Sequence, residues 1–388
     1  MTSNATRRRF LQAGALATGI GLAGCTGILD GADDYEVWAL DQGTGIGYIY
    51  EPDEDADEGF SLLDTIDFEA YDGLVPHMVD FSTDGEYAAV ACTSGARTIV
   101  VRSEDREVVA NIETGPGSHF AGFGPDDSFI LVDVIGEGAI KRIDVDLGDE
   151  SFELADEIVI GEDPLVTDRE DEFNGTNPIC HDHANGHSYH TLGPGYGDAG
   201  LVVVDTDSFE LVAAFGPDEV PTNCGTMAHP DETKMYLTAG APADPEDDDS
   251  EGVGAYYVID TESHDVIAEG DTGGIDAHGF SFPNDDELWV LNRQTHDGVI
   301  VDPDTDEVIE EIESYGNAPD IVWASPDGDY LFTSLRGPNP VSGDPHAATG
   351  ETPGFSIIDV AEREVLEVIQ PDPDDEDSDF HGIGVRVV

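Results

Sequence analysis

From Tyr35 to the C-terminus, short runs of Val, Ile, Leu and Tyr alternate with clusters of Gly, Pro, Asp and Ser. No segment keeps apolar residues at helical spacing, so the pattern predicts strands bounded by tight turns. Three turns mark a unit: Phe81-Ser82-Thr83-Asp84-Gly85, Phe123-Gly124-Pro125-Asp126-Asp127 and Ala324-Ser325-Pro326-Asp327-Gly328. Ala228-His229-Pro230-Asp231-Glu232 and Phe282-Pro283-Asn284-Asp285 are looser copies. An apolar strand such as Phe129-Ile130-Leu131-Val132 follows each turn, and a third strand ends in a turn of the Val258-Ile259-Asp260-Thr261 type.

Four short antiparallel strands recurring every ~40–60 residues form a propeller blade, since one blade cannot bury both of its faces alone. First strands start near His77, His119, His181, Cys224, His278, Asp320 and His381. The last of these has no partner strands after it; the pattern supplies them at residues 36–40, 47–50 and 61–64. Pairing the two ends of the chain closes the ring and removes both free sheet edges. The expected fold is an all-β, seven-bladed β-propeller spanning residues 35–388.

These turns, the Ser-Pro-Asp-Gly type and the Val-Ile-Asp-Thr type, resemble those of the YVTN/YncE-like family of secreted propellers. The resemblance covers most of the chain beyond residue 34 and implies a fold and secretion, but no reaction.

The N-terminus reads as an address. Thr6-Arg7-Arg8-Arg9-Phe10-Leu11 matches the twin-arginine export pattern, and the apolar stretch after it is too short to span a bilayer. Leu22-Ala23-Gly24-Cys25 resembles a lipobox with Cys25 as the lipidated residue. The expected organisation is a signal over residues 1–24, a tether over 25–34 and the propeller beyond. That makes a monomer exported folded and held by its lipid on the outer face of the cell membrane.

Composition narrows the partners. The 388 residues carry 14 Lys+Arg against 86 Asp+Glu, a formal charge of -72, with Lys141 and Lys234 the only lysines. Nucleic acid is excluded, because a phosphate backbone needs a basic footprint. The acids are spread along the chain and resemble the haloarchaeal type of composition: at molar salt the screening length falls to about 3 Å and self-repulsion fades.

The long insertions, 161–178, 191–200, 239–254 and 336–354, all fall on the propeller face where first strands begin and second strands pass to third. Elaborated loops on a rigid scaffold are where binding usually resides. His77, His119, His278 and His381 each stand four residues before an apolar residue, and Cys224 and Asp320 share that register. Blade four offers His181 or His183, which the spacing does not separate. The starts of innermost strands ring the central channel, so imidazole, thiolate and carboxylate are expected to converge on one axis as a copper or zinc site. His187, His190, His296 and His346 are expected on loops of the same face. A solvated polar ring and a small organic ligand remain open alternatives, as does a disulfide between Cys180 and Cys224 in place of ligation. Cys92, inside a second strand, is expected to pack as a small hydrophobe.

A histidine ring on a seven-bladed wheel is also similar to the propeller domain of nitrous oxide reductase, which would imply a copper-dependent oxidoreductase. The sequence has no Cys-x-x-x-Cys for an electron-entry copper. Arg97, Arg293 and Arg336 follow second strands and suggest an anion pocket for a carboxylate or sugar acid, similar to lactonase-type propellers. No Gly-x-Ser-x-Gly is present to mark a hydrolase. The acidic runs 246–251 and 372–379 read as solvated loops. The expected function is binding of a metal or small ligand at the axial channel, with a cell-surface interaction scaffold as the further alternative.

Overall fold

The computed structural model describes residues 35–388 except 54, 57–58, 194–198, 245, 248–249 and 344. The twin-arginine stretch and Cys25 lie outside the described residues. Seven four-stranded antiparallel sheets form the ring. Innermost strands of blades two to seven are Pro76–Phe81, Ser118–Phe123, Asn177–Ala184, Thr226–Ala228, Ala277–Asn284 and Pro319–Ala324. Blade one takes its innermost strand from the C-terminus: Phe380–Val387 pairs with Tyr35–Asp41, Val385 lying opposite Val37.

The turns predicted from sequence are built by their acids. In blade two, Tyr87 N donates to Ser82 Oγ (3.0 Å) and Glu86 N to Asp84 Oδ1 (3.0 Å), while Gly85 takes the left-handed conformation, φ 69°. Blade seven repeats this with Ser325, Asp327 and Gly328. Where third strands end, Asp205, Asp260, Asp302 and Asp359 each accept a backbone N–H two or three residues on, at 2.8–2.9 Å. Part of the acidic excess is therefore turn chemistry that caps hairpins.

Two irregularities recur. Every blade has a register shift between its third and fourth strands, which adds the twist a wheel of flat sheets would lack. A second shift, between first and second strands, falls at His77 in blade two, His119 in blade three and His278 in blade six. Blades one, four and seven have theirs beside His381, Cys180 and Asp320. A bulged residue is freed from the alternation of the pleat and its side chain can be re-aimed; here it turns toward the axis.

The core is distributed between blades. Seven separate apolar clusters fill the interfaces, among them Trp38 against Phe81 and Phe60 against Phe332, both edge to face. Cys92 belongs to one of them, and burial pushes its thiol up to about 12. Among the described residues no helix is long and apolar enough to cross a membrane.

Candidate functional site

At the hub the bulged residues meet. His77 Nδ1 donates to Gln42 Oε1 (2.7 Å), which leaves Nε2 bare and facing His119 Nε2 at 2.9 Å. His381 stacks on His77 with ring centroids 3.6 Å apart and donates from Nδ1 to the His77 carbonyl (3.1 Å), so its Nε2 is bare as well. On the next side, His119 Nδ1 lies 3.7 Å from Cys180 Sγ, and Cys180 Sγ lies 2.8 Å from Cys224 Sγ. His278 Nε2 is 3.0 Å from Asp320 Oδ1, and His381 Nε2 is 3.7 Å from Asp320 Oδ2. Four imidazoles, two thiols and a carboxylate thus form a chain of contacts, which a hydrogen bond between His278 and Cys224 closes into a circuit. It borders a cavity of about 340 Å³ lined in part by His77, His119, Cys224, His278 and His381.

A second layer holds these groups. Gln42 Nε2 donates to Asp379 Oδ2 (2.9 Å); Asp379 accepts from Arg336 Nε (2.7 Å), and Arg336 Nη1 reaches Asp320 (2.5 Å). Asp276 accepts from Arg293 Nε (2.7 Å), and Arg293 Nη1 lies 3.5 Å from Asp320. Such outer partners fix ring tautomers and orientation. They also set charge. Burial holds His77, His119 and His381 below the ordinary imidazole value. Burial and Arg293 oppose the charge of His278, but Cys224 and Asp320 outweigh them and raise it to about 9. The Cys180 hydrogen bond, with His278 and against burial, draws Cys224 well below the usual thiol value. Burial and the Cys224 charge push Cys180 well above it.

The residues singled out from sequence divide. His77, His119, Cys224, His278, Asp320 and His381 come together at the hub; His181 and His183 do not join them. Asp80 Oδ2 accepts from Phe123 N (2.8 Å) and Asp182 Oδ2 from Ala228 N (2.7 Å), so Asp182 is the blade-four counterpart of Asp80. Counting back three residues puts Ile179 at the register of His77. His183 takes the place held elsewhere by Phe81 or Phe123, which removed the apolar landmark from which the spacing is counted. Cys180, one residue on, supplies blade four's group at the hub. His181 and His183 turn instead into the interface with blade three. There His181 Nδ1 and His190 Nδ1 each bond Asp133 at 2.6 Å.

Other expectations are also corrected. His190 lies inside the strand His187–Gly193, and His187 sits at that strand's start on the opposite face, beside His264. His296 does occupy a turn between second and third strands. The three arginines do not gather. Arg97 points outward to Asn111 Oδ1 (2.7 Å), while Arg293 and Arg336 are bound by carboxylates at the hub. The run 372–379 is not wholly solvated: Ser378 and Asp379 are buried, and Asp379 anchors Arg336, Gln42 and two backbone N–H groups. Gln42, Asp133 and Asp379 carried no motif, since each acts through a partner distant in sequence.

Solved structures share this architecture. Hydrazine synthase of Kuenenia stuttgartiensis aligns with TM-score 0.59 and 14% identity over 84% of this chain and 95% of that one. Dihydro-heme d1 dehydrogenase NirN, in complex with DHE, aligns with TM-score 0.52 and 14% identity over 90% and 74%. A candidate 6-phosphogluconolactonase of Bacteroides fragilis aligns with TM-score 0.51 and 18% identity over 72% and 81%. The shared property is the seven-bladed fold. No family model and no curated protein sequence matches the chain.

Proposed function

We propose that the chain is a metal-binding propeller that holds one copper or zinc ion at its hub, for storage, delivery or sensing rather than for catalysis. One observation carries the reading: two buried sulfurs 2.8 Å apart stand in a circuit with imidazoles whose bare nitrogens face inward. Thiolate with imidazole suits Cu(I) and Zn(II), whereas a hub meant only to hold water needs neither sulfur nor a thiolate of lowered pKa. His119 Nε2 is turned to His77 at 2.9 Å, and it is the other ring nitrogen, Nδ1, that faces Cys180 Sγ at 3.7 Å and is open to an ion beside the sulfurs. In this reading His119 through Nδ1, Cys180 and Cys224 are the ligands, with His278, Asp320 and His381, whose ligand atoms lie within 4.8 Å of one another, across the cavity as the alternative oxygen and nitrogen set. Twin-arginine export and a lipid on Cys25 would place the site outside the membrane, where metal capture precedes uptake.

A second reading rests on the same sulfurs. Their separation lies between a disulfide bond of about 2.05 Å and the ~3.7 Å that a tetrahedral ion with bonds of about 2.3 Å would set. Oxidation to a disulfide would leave the imidazoles without their soft partners. Titration of the reduced, metal-free protein with Cu(I) against a coloured chelator, in molar salt, tests the proposal. One equivalent bound tightly, and lost when His119 and His278 are replaced together, supports it. No competition with the chelator while both thiols remain free overturns it.

A further inference from the structure

The interface between blades three and four departs from its siblings. At the two inner positions where other blades carry Val79 and Phe81, or Phe280 and Phe282, blade four carries His181 and His183. Facing them is Asp133, at the place of Ala91 in blade two and Leu291 in blade six. Asp133 is fully buried and accepts from His181 Nδ1 and His190 Nδ1 at 2.6 Å each; His190 Nε2 is satisfied by Ser188 Oγ at 2.8 Å. His181 Nε2 and both ring nitrogens of His183 are buried without a hydrogen-bond partner. The two rings lie 5.3 Å apart at their centroids and border a cavity of about 420 Å³ below the hub. The neighbouring blade makes room: a Cβ on Gly122 would fall 2.8 Å from His181 Nε2.

Bare buried ring nitrogens are costly in a seam that apolar side chains would fill without penalty. A carboxylate on the far nitrogen of an imidazole is the usual outer partner of a metal-bound histidine, because it fixes the tautomer and makes the near nitrogen more basic. We propose that His181 Nε2 and one ring nitrogen of His183 bind a borderline divalent cation, zinc in kind, oriented through Asp133 and open to solvent on the cavity side. This site is separate from the hub, has no sulfur ligand, and stands whether or not the hub binds copper. Two protein ligands with open positions make an exchangeable site, suited to passing a metal on rather than keeping it.

The test uses the full chain in molar salt, titrated with Zn(II) and with Co(II) as a spectroscopic probe. The Cys180→Ser, Cys224→Ser, His119→Gln, His278→Gln variant removes the hub sulfurs and breaks the hub's nitrogen and oxygen set as well. It should still bind one Co(II) with d–d bands of low symmetry and no thiolate charge-transfer band. His181→Val with His183→Phe installs the sibling residues and should keep the fold while abolishing that binding; Asp133→Asn should weaken it by roughly 10–100-fold. Zinc and cobalt binding unchanged in the Val/Phe variant overturns the proposal. So does a hub-disabled chain that binds no cobalt although its circular dichroism is native. Should the Val/Phe variant fail to fold, the cobalt spectrum of the hub-disabled chain decides alone. Loss of Cu(I) binding at the hub bears on the other site and leaves this one standing.

Discussion

His77 Nε2 and His119 Nε2 lie 2.9 Å apart although 42 residues separate them in the chain. Nothing local joins them. Each is the extra residue of a bulge at the inner edge of its own blade, and closure of the ring brings the two bulges side by side. With His77 Nδ1 committed to Gln42, the His77 nitrogen facing His119 offers a lone pair, which an ion or the proton of His119 can take. The contact therefore depends on the integrity of the ring.

Thiol chemistry should report the hub directly. Cys224 is held well below the usual thiol value by the Cys180 hydrogen bond and by His278, while Cys92 is pushed up to about 12 by burial. In reduced, metal-free protein at neutral pH, a small alkylating agent should modify Cys224 at least tenfold faster than Cys92, since the thiolate is the reactive form. Bound Cu(I) or Zn(II) should suppress the reaction. Peptide mass mapping with and without metal reads both outcomes; equal rates for the two cysteines would count against the charge assignment.

Ring closure has an ionic clasp whose pH dependence has a definite sign. Glu36, in the first N-terminal strand, bonds Arg386 of the C-terminal strand (2.8 Å) and Arg106 of blade two (2.7 Å). Burial opposes its ionisation, but the Arg386 and Arg106 hydrogen bonds prevail and lower its pKa from 4.5 to about 2. Because the folded value lies below the unfolded one, the stabilisation is complete above pH ~4.5 and is lost as pH falls through ~2. Glu36→Gln should cost about 3 kcal/mol at neutral pH, and the difference from the parent should vanish in strong acid. Trp38 donates to Glu36 Oε2 (2.9 Å), so urea unfolding followed by tryptophan fluorescence sees the clasp itself.

Salt should decide stability more than pH does. A charge of -72 with paired cations in short supply repels itself at low ionic strength. The screening length is about 10 Å at 0.1 M and 3 Å at 1 M. The melting temperature should rise steeply between those concentrations and with potassium as well as sodium chloride. A melting temperature flat across that range would show that the acids are neutralised within the fold.

The wheel was legible because its unit is local: a turn acid, a β-branched run and a second turn acid repeat whether or not the strands have met. Closure was legible from a strand left without partners, 381–387. The site was legible only where the repeat is regular. Spacing found His77, His119, Cys224, His278, Asp320 and His381, each four residues before a small or apolar side chain. It failed in blade four, where His183 occupies the apolar place, the register of His77 falls on Ile179, and Cys180 beside it in the bulge reaches the hub instead of His181. Asp133 and Asp379 were invisible for another reason: in a chain with 86 acids a carboxylate that holds a histidine or arginine looks like any other until its partner is known.

The central claim is that the hub holds a metal between sulfur and imidazole. Anomalous diffraction at the copper and zinc edges, from crystals of reduced protein grown with each metal in molar salt, tests it most directly. The account predicts a peak within bonding distance of Cys180 or Cys224 Sγ and of a ring nitrogen of His119. Peaks confined to surface carboxylates, with free thiols and an empty hub density, would contradict it.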